Sequence, residues 1–434
     1  MVEKVDTALV RMWDRLVGAV AWNDERGLAT FEFDPDFLDE GLDLAPLKMP
    51  WVQARRAQAR FNFPGLGFET FRGMPGLLAD ALPDQFGNSI IDAWLARQGR
   101  TAENFSPVER LCYTGRRAMG ALEFEPAVVG DLDKSVPVEV GELVVLARTM
   151  LDNRAGLNVN LEANASEAML DIIRVGTSAG GGRPKAVIAV NDATQEVRSG
   201  QVEAPEGFDH WILKFDGVRD RQLGEPAGYG RIEYAYYLMA TACGIEMTTC
   251  RLLEESDRAH FMTRRFDRPG GNRKLHMQSL CAMAHFDFNI AGAHSYEQAF
   301  QVMRELRLPY PDAEQQFRRT VFNIIARNQD DHTKNIAFLM DTEGEWRLSP
   351  AFDVTYAYNP AGDWTNRHQM TLAGKRDGFA REDLLTVGRE MSIKKGADII
   401  AEVGEVVSRW VEFAAEAGVP EEKAAAIGET HRLI

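Results

Sequence analysis

The spacing of hydrophobic and polar residues changes twice along the chain. Residues 8–35 alternate with a period of two around the turn N-D-E-R-G, which predicts a β-meander with one solvated face. Residues 68–98 have helical spacing at both ends, interrupted in the middle by Pro83 and Gly87. A further helix and strand are expected over residues 107–124. Residues 125–136 lack either period and resemble a linker, so we place a domain boundary near residue 130.

Strand-like runs return in the middle of the chain. A glycine-rich stretch at 176–185 leads directly into an apolar strand at 186–190, and a second strand is predicted at 210–215. A helix follows at 231–243 and another strand at 261–265. From Gln278 onwards the pattern is mostly helical, and the segment 396–415 carries one apolar stripe that is typical of an amphipathic helix.

The stretch 326–337, A-R-N-Q-D-D-H-T-K-N-I-A, concentrates polar side chains between two apolar segments. Upstream, apolar residues at helical spacing predict a helix that ends near Asn328. Downstream, a short apolar run over 336–340 and a second one over 346–348 predict a hairpin. A polar loop held between buried elements is a usual place for chemistry, although a solvated surface loop is the alternative.

Composition limits the function classes. The chain has 434 residues, enough for two or three domains, and a formal net charge of −16. This acidic balance argues against broad, direct binding of nucleic acid, which needs a basic face. The four cysteines form no C-x-x-C pair, so reduced thiols in the cytoplasm are expected. The first residues lack the apolar region of a signal peptide, and no run is long enough to span a membrane.

Three residues have the spacing of a phosphoryl-transfer site. Asp330 and Asn335 form a D-x-x-x-x-N pair, and Asp353 follows 18 residues after Asn335, beyond the predicted hairpin. In protein kinases, a catalytic-loop Asp, an Asn five residues later and a downstream Asp have this arrangement. An amide oxygen and a carboxylate are ligands that Mg²⁺ prefers. The D-x-x-x-x-N pair alone is weak, since it occurs by chance in many chains.

Other parts of such a site are present in the expected order. Lys214 stands late in the strand H-W-I-L-K-F, and Glu233 follows 19 residues later, near the start of a helix, as a candidate partner. Alternatively, Lys214 faces water on an edge strand and Glu233 only complements the helix dipole. The glycines at 180–182 are able to present N–H groups to phosphate oxygens, or they form a plain turn.

A metallohydrolase site is a further alternative. Asp330, Asp331 and His332 are adjacent and carry metal-binding groups. Neighbouring loop residues rarely all point at one ion, however, and no H-x-H or H-E-x-x-H motif supports them. The sequence therefore disfavours a transition-metal centre.

Several motifs resemble the HipA family of bacterial serine/threonine kinase toxins. G-T-S-A-G-G-G-R-P-K at 176–185 is similar to the Ser-containing glycine loop of that family. N-Q-D-D-H-T-K-N at 328–335 and L-S-P-A-F-D-V at 348–354 resemble its catalytic loop and metal-Asp segment. R-R-F-D-R at 264–268 resembles its hinge motif E-R-F-D-R. L-L-A-D-A-L-P-D at 77–84 and G-R-R-A-M-G-A-L at 115–122 look like its amino-terminal domain.

The resemblance implies an α+β, protein-kinase-like two-lobed fold with an additional N-terminal α+β domain. The expected division is an N-terminal domain at 1–130, a β-rich N-lobe with the glycine loop at 131–262, and a mostly helical catalytic C-lobe at 263–434. ATP and Mg²⁺ are the implied cofactors.

The resemblance also implies roles for individual residues. Asp330 would be the catalytic base, Asn335 and Asp353 would bind Mg²⁺, and Ser178 would be an inhibitory autophosphorylation site. The implied ATP-binding residues are Lys214, Gly180, Gly181, Gly182, Lys185, Phe266, Asp267 and His332, with Glu233 as the partner of Lys214. Lys334 matches the family pattern without an assigned role, and Asp331 has none.

The implied partners are a small helix-turn-helix antitoxin, which would contact DNA, and a protein substrate of the aminoacyl-tRNA synthetase class, glutamyl-tRNA synthetase in the best-known case. Two departures from the family pattern are Arg264, where Glu is usual, and R-P-K instead of Q-E-K at the end of the glycine loop. Two other functions remain open: a catalytically silent, nucleotide-binding co-repressor, and a small-molecule phosphotransferase.

Overall fold

The structure is a computed structural model, and it describes residues 4–56, 59–97, 99–101, 104–127, 134–145, 175, 184–217, 228–255, 258–270 and 272–434. The sites expected at Ser178, Gly180, Gly181 and Gly182 lie outside these residues and stay predictions. Within the described ranges, no helix combines the length and the apolar character needed to cross a membrane.

The first part of the chain folds around a five-stranded antiparallel sheet with strand order β4-β3-β2-β1-β5. The predicted β-meander is confirmed by its first three strands. The strands are β1 (Thr7–Met12), β2 (Arg15–Asn23), β3 (Leu28–Phe33), β4 (Arg60–Phe61) and β5 (Leu122–Glu125). The helices are α1 (Pro35–Asp39), α2 (Trp51–Ala54), α3 (Phe68–Phe71), α4 (Gly76–Ala79), α5 (Gln85–Arg97) and α6 (Pro107–Thr114). Alternate residues of β1 are buried, as a sheet with one solvated face requires.

A second five-stranded antiparallel sheet forms the middle of the molecule, with strand order β7-β6-β8-β10-β9. Its strands are β6 (Lys185–Asn191), β7 (Glu196–Ser199), β8 (Asp209–Lys214), β9 (Cys250–Glu255) and β10 (Arg258–Arg264), and α7 (Tyr229–Ala242) packs against β9 and β10. Strand β6 is buried over almost its whole length because the sheet is covered on both faces. Part of that cover is α5, whose buried residues Phe86, Ile90 and Ile91 share a core with the sheet.

The remainder is mostly helical and surrounds the largest hydrophobic core of the described residues. Its helices are α8 (Leu280–Ala284), α9 (Tyr296–Glu305), α10 (Tyr310–Ile325), α11 (Arg381–Glu390), α12 (Gly396–Ser408), α13 (Trp410–Glu416) and α14 (Glu421–Gly428). A small antiparallel sheet joins β11 (His276–Ser279), β12 (Ala337–Met340) and β13 (Trp346–Leu348). The predicted hairpin after residue 336 is therefore present.

The apolar stripe at 396–415 belongs to two helices and not to one. Helix α12 ends at Ser408 and α13 begins at Trp410, because Arg409 between them leaves helical geometry with ψ 19°. The break coincides with Trp410, a fully buried side chain whose indole N–H donates to the Ala424 carbonyl at 2.8 Å. Trp410 belongs to the predicted apolar stripe, but the pattern gave no sign of the helix break before it or of its hydrogen bond.

The two amino-terminal motifs fasten the first sheet and its helices to the rest of the molecule. In the motif 77–84, Asp80 accepts hydrogen bonds from the Ser279 N–H at 2.6 Å and the Ser279 hydroxyl at 2.9 Å. In the motif 115–122, the Gly120 N–H donates to Asp267 at 2.8 Å, and the Gly120 carbonyl accepts from Arg268 at 2.9 Å. The motif 77–84 therefore binds the helical part of the molecule. The motif 115–122 binds the segment after β10, which joins the second sheet to the helical part.

Candidate active site

The polar loop at 326–336 is a packed segment between α10 and β12. Its residues Gln329, Asp331 and Thr333 are at most 3% exposed. A short 3₁₀ helix at Thr333–Asn335 turns the loop so that the Asn335 side-chain amide donates to the Asp330 carbonyl at 2.8 Å. This bond closes the D-x-x-x-x-N pair into one unit. The solvated-loop alternative does not describe these residues.

Asp330 is the carboxylate of the loop that faces outward. Its side chain is 37% exposed, and Oδ1 accepts a hydrogen bond from the Trp364 indole N–H at 2.6 Å. His332 Nε2 lies 3.8 Å from the same oxygen, with its ring 5.2 Å from that of Phe288. Asp330 is therefore held by a fixed donor while its other oxygen remains available to a substrate.

Asp331 points in the opposite direction, into the helical part. Its carboxylate is 3% exposed and accepts from the Tyr296 hydroxyl at 2.6 Å, from His368 Nδ1 at 2.7 Å and from the Gln369 N–H at 2.7 Å. Burial alone would raise its pKa, but His368 and these donors lower it below its ordinary value, so the group is a carboxylate. Asp331 anchors the loop from inside.

Lys214 occupies the centre of a cluster of charges. Its ammonium lies 2.5 Å from Glu233 Oε1 on α7 and forms an ion pair with Asp353 Oδ1. Strand β8 is a central strand, and the side chain of Lys214 is only 15% exposed, so an edge-strand lysine facing water is excluded. Glu233 is 4% exposed, which excludes a role limited to the helix dipole at the surface.

The ion pairs fix the charge state of this cluster. Burial alone would lower the pKa of Lys214, but Asp353 and Glu233 raise it above its ordinary value. Burial would raise the pKa of Asp353, and Lys214 and Lys185 overcome this effect, so that pKa lies well below its ordinary value. At neutral pH the cluster therefore holds a cation between two anions.

The hairpin β12–β13 explains how Asp353 returns to the cluster. Strands β12 and β13 pair antiparallel, and the chain then runs to Asp353, which adopts a left-handed backbone conformation with φ 56°. Non-glycine residues adopt this conformation uncommonly, and aspartate does so more readily than most. The Phe352 ring before it packs 5.4 Å from the Phe266 ring of the hinge motif.

A second lysine lies beside the first. Lys185 begins β6 and is paired directly opposite Lys214 in the sheet register. Like charges at this position repel unless anions lie close. Lys185 Nζ is 3.5 Å from Asp84 Oδ2, and both side chains are at most 5% exposed. Burial dominates both groups: it lowers the pKa of Lys185 and raises that of Asp84, each shift being opposed by the partner's charge.

The Asp267 side chain is buried in the hinge. Its carboxylate is 0% exposed and is bound by Arg265, by Arg268 and by the Gly120 N–H, so it holds the hinge to the first domain. That residue 267 borders the adenine stays a prediction. The neighbouring residue Phe266 is only half-buried, and its ring packs against that of Phe352.

The side chains of the site limit which metal ions it is able to bind. Among the described residues, no group of three or more His, Cys, Asp or Glu side chains is arranged to hold a metal ion. Magnesium bound with a nucleotide needs few protein ligands, because phosphates and water complete its shell. One amide oxygen from Asn335 and the carboxylate of Asp353 match that requirement.

Comparison with known proteins decides the family. The HipA-like C-terminal domain model matches residues 177–431, and the HipA N-terminal domain model matches residues 8–125. The chain belongs to the HipA family. HipA of Shewanella oneidensis MR-1, solved in a complex with HipB and operator DNA, superposes with a TM-score of 0.66 and 16% identity over 97% of this chain and 94% of that one. The predicted α+β, kinase-like two-lobed fold with an additional N-terminal domain is thus confirmed.

A curated relative matches most of this chain at low sequence identity. The putative kinase Y4mE of Sinorhizobium fredii (strain NBRC 101917 / NGR234) is 22% identical over 333 residues, which cover 72% of this chain and 73% of that protein.

Sequence reasoning missed three residues around the site. Asp84 was part of a noted motif, but nothing in the sequence indicated that it reaches Lys185. Trp364 and His368 lie in the irregular stretch 350–380, which has no period, so only the fold shows that they touch Asp330 and Asp331.

Proposed function

We propose that this chain is an ATP-dependent serine/threonine protein kinase toxin of the HipA type, acting in the cytoplasm. The observation that carries the proposal is the ammonium of Lys214 held between Glu233 and Asp353. This arrangement supplies a fixed cation for ATP phosphates beside a carboxylate suited to magnesium. The exposed carboxylate of Asp330 lies on the loop that also carries Asn335.

The proposed reaction is transfer of the γ-phosphoryl group to a serine hydroxyl. Asp330 orients the hydroxyl and accepts its proton, the new O–P bond forms, and the bond to the β-phosphate oxygen breaks to release ADP. Lys214 and Lys185 bind the phosphates, and Phe266 borders the adenine. Magnesium, held by the nucleotide together with Asn335 and Asp353, neutralises phosphate charge when it is bound.

Asn335 suits a metal because its amide nitrogen is already engaged. The nitrogen donates to the Asp330 carbonyl at 2.8 Å, which leaves the amide oxygen for the ion. Asp353 suits it because one oxygen contacts Lys214 while the side chain is 34% exposed. In this proposal Lys214 also keeps Asp353 ionised and oriented before the nucleotide binds.

We further propose that autophosphorylation of Ser178 inactivates the enzyme. Lys185, the last residue of the glycine-rich motif 176–185, lies directly opposite Lys214 in the sheet, so this motif ends at the lysine pair. A phosphate adds about −1.5 to −2 charge. Placed on this loop, it would compete with the ATP phosphates for the same two ammonium groups.

The proposed partner is a small helix-turn-helix antitoxin. The Shewanella HipA was solved together with HipB and operator DNA. The net charge of −16 makes direct DNA binding by this chain unfavourable, so the antitoxin would supply the DNA contact. We propose a serine of an aminoacyl-tRNA synthetase as the acceptor, on the family resemblance.

Expression in a bacterial host tests this function. The wild-type chain is expected to arrest growth, and Asp353→Ala to relieve the arrest because the metal carboxylate and the partner of Lys214 are lost. Asp363→Ala, which removes an exposed carboxylate of the same lobe, serves as the matched control and should arrest growth as the wild type does.

The outcomes separate the alternatives. Equal arrest by Asp353→Ala at equal protein level would show that toxicity is not phosphoryl transfer. A phosphoproteome recorded after induction should contain a new phosphoserine on an aminoacyl-tRNA synthetase. ATP consumption without any new phosphoprotein would instead support a small-molecule acceptor.

A further inference from the structure

The last described residues of the chain lie against the catalytic loop. The Arg432 N–H donates to the Ile325 carbonyl at 2.9 Å, and Arg327 Nε donates to the Thr430 carbonyl at 2.7 Å. Ile325 is the last residue of α10, where carbonyls lose their helical partners. Residues 430–432, the C-terminal strap, therefore complete the end of the helix from which the loop departs.

The Arg432 side chain continues this contact inward. It is 10% exposed, and its guanidinium lies 2.9 Å from His368 Nε2 and 3.3 Å from Gln329 Oε1. It also forms an ion pair with Asp377, and it lies over the Phe379 ring at 5.5 Å. The Arg432 guanidinium thus contacts the loop residue Gln329 directly, and it reaches a second loop residue, Asp331, through His368.

The hydrogen-bonding groups of Arg432 and His368 determine which of them donates and which accepts. Arginine has only donors, so His368 Nε2 must be the acceptor and Nδ1 must carry the ring proton. That proton is donated to Asp331 at 2.7 Å. Arg432 and Asp331, the residue next to Asp330, therefore both require the His368 tautomer with its proton on Nδ1, and together they fix the ring at both nitrogens.

Removal of the guanidinium would leave the His368 ring hydrogen-bonded at one nitrogen only. The ring would then be free to tilt, which weakens its hydrogen bond to Asp331, one of the bonds by which Asp331 anchors the loop from inside. The loop would then hold Asp330 less rigidly.

We propose that Arg432 is a positioning residue for the proposed phosphoryl transfer, acting through His368 and Asp331 on the catalytic loop. The HipA-like C-terminal domain model ends at residue 431, so Arg432 lies outside it. The proposal rests on the proposed kinase function for its kinetic consequence, whereas its structural consequence is independent of catalysis.

Hydrogen exchange in the absence of ATP tests the structural part. In Arg432→Met, the amides of residues 328–335 should exchange faster than in the wild type. The control is Arg389→Met, which removes an exposed arginine whose guanidinium pairs with Glu382 and Thr386 of its own helix. It should leave exchange at 328–335 unchanged. Wild-type exchange at 328–335 in Arg432→Met would overturn the proposal, whether or not the chain is a kinase.

Kinetics tests the catalytic part, and rescue by the conservative lysine variant and non-additivity with His368 distinguish it from a general loss of structure. Arg432→Met should lower kcat by about ten- to a hundredfold, the effect of one lost hydrogen bond to a charged group, with the KM for ATP within about twofold. Arg432→Lys, which still donates to His368, should retain more activity. In the His368→Gln background, Arg432→Met should lower kcat by less than it does in the wild type, because only the contact with Gln329 is left to lose.

Multiplicative losses in the double variant, or equal losses in Arg432→Met and Arg432→Lys, would contradict the pathway through His368. A KM for ATP that rises in step with the fall in kcat would place the effect at the nucleotide instead. If the wild type itself transfers no phosphate, the proposed function fails, and the exchange experiment still decides whether Arg432 holds the loop.

Discussion

Replacement of Asp267 by asparagine is expected to destabilise the folded chain severely. The Asp267 carboxylate accepts from Arg265 at 2.9 and 2.6 Å, from Arg268 at 2.7 Å and from the Gly120 N–H at 2.8 Å. The guanidinium side chains are 0% and 3% exposed. An asparagine of the same shape would leave two buried cations without an anion, which costs about 3 to 5 kcal/mol of the free energy of unfolding.

The measurement is urea denaturation followed by tryptophan fluorescence, with Asp192→Asn as the control. Asp192 also binds an arginine, Arg251 at 2.8 Å, but its side chain is 57% exposed, so its loss should cost less than about 1 kcal/mol. A loss below about 1 kcal/mol for Asp267→Asn as well would refute the view that this carboxylate holds the hinge.

The loss of stability in Asp267→Asn should depend on pH in a direction that follows from the pKa of Asp267. Burial alone would raise the pKa of Asp267, but the two arginines lower it well below its ordinary value. Its contribution to stability is therefore fully present above the unfolded-state pKa of about 3.9 and is lost as the pH falls below it. The difference between wild type and Asp267→Asn should be constant from neutral pH to about pH 5 and should shrink below about pH 4.

Three further substitutions test the site by steady-state kinetics. Glu233→Gln removes one anion from Lys214 and should lower kcat/KM for ATP about tenfold or more; an unchanged value would mean that the ion pair is not used. Trp364→Phe removes the indole donor from the proposed catalytic aspartate and should lower kcat about tenfold at constant KM, whereas a changed KM alone would contradict this role. Asp84→Asn removes an anion beside the buried Lys185, whose pKa burial already lowers, so the KM for ATP should rise with pH more steeply than in wild type. Parallel pH profiles would show that Asp84 does not support this ammonium.

Some parts of the fold and site could be predicted from local sequence. The meander at 8–35, the strand that carries Lys214 and the hairpin before Asp353 all have short-range periodicity, and the structure contains each of them. The sheet-central position of Lys214 and its ion pairs required tertiary structure, because an edge strand and a central strand of six residues have similar patterns.

Other parts depended on contacts between distant segments. The spacing to Asn335 singles out Asp330, but no local pattern shows that Asp331 is buried against Tyr296 and His368 while Asp330 faces outward. The hinge motif likewise gave no indication that the Asp267 carboxylate binds the Gly120 N–H. Gly120 lies 147 residues earlier, a distance that no local pattern covers.

Intact mass after incubation with Mg-ATP tests the central claim most directly. Protein that has first been dephosphorylated should gain one phosphate, located on Ser178 by fragmentation, while Asp330→Asn prepared in the same way should gain none. The control variant Asp363→Ala should gain the phosphate as the wild type does. An unchanged wild-type mass, or equal phosphate gain by Asp330→Asn, would contradict the assignment of Asp330 as the base of a phosphoryl-transfer site.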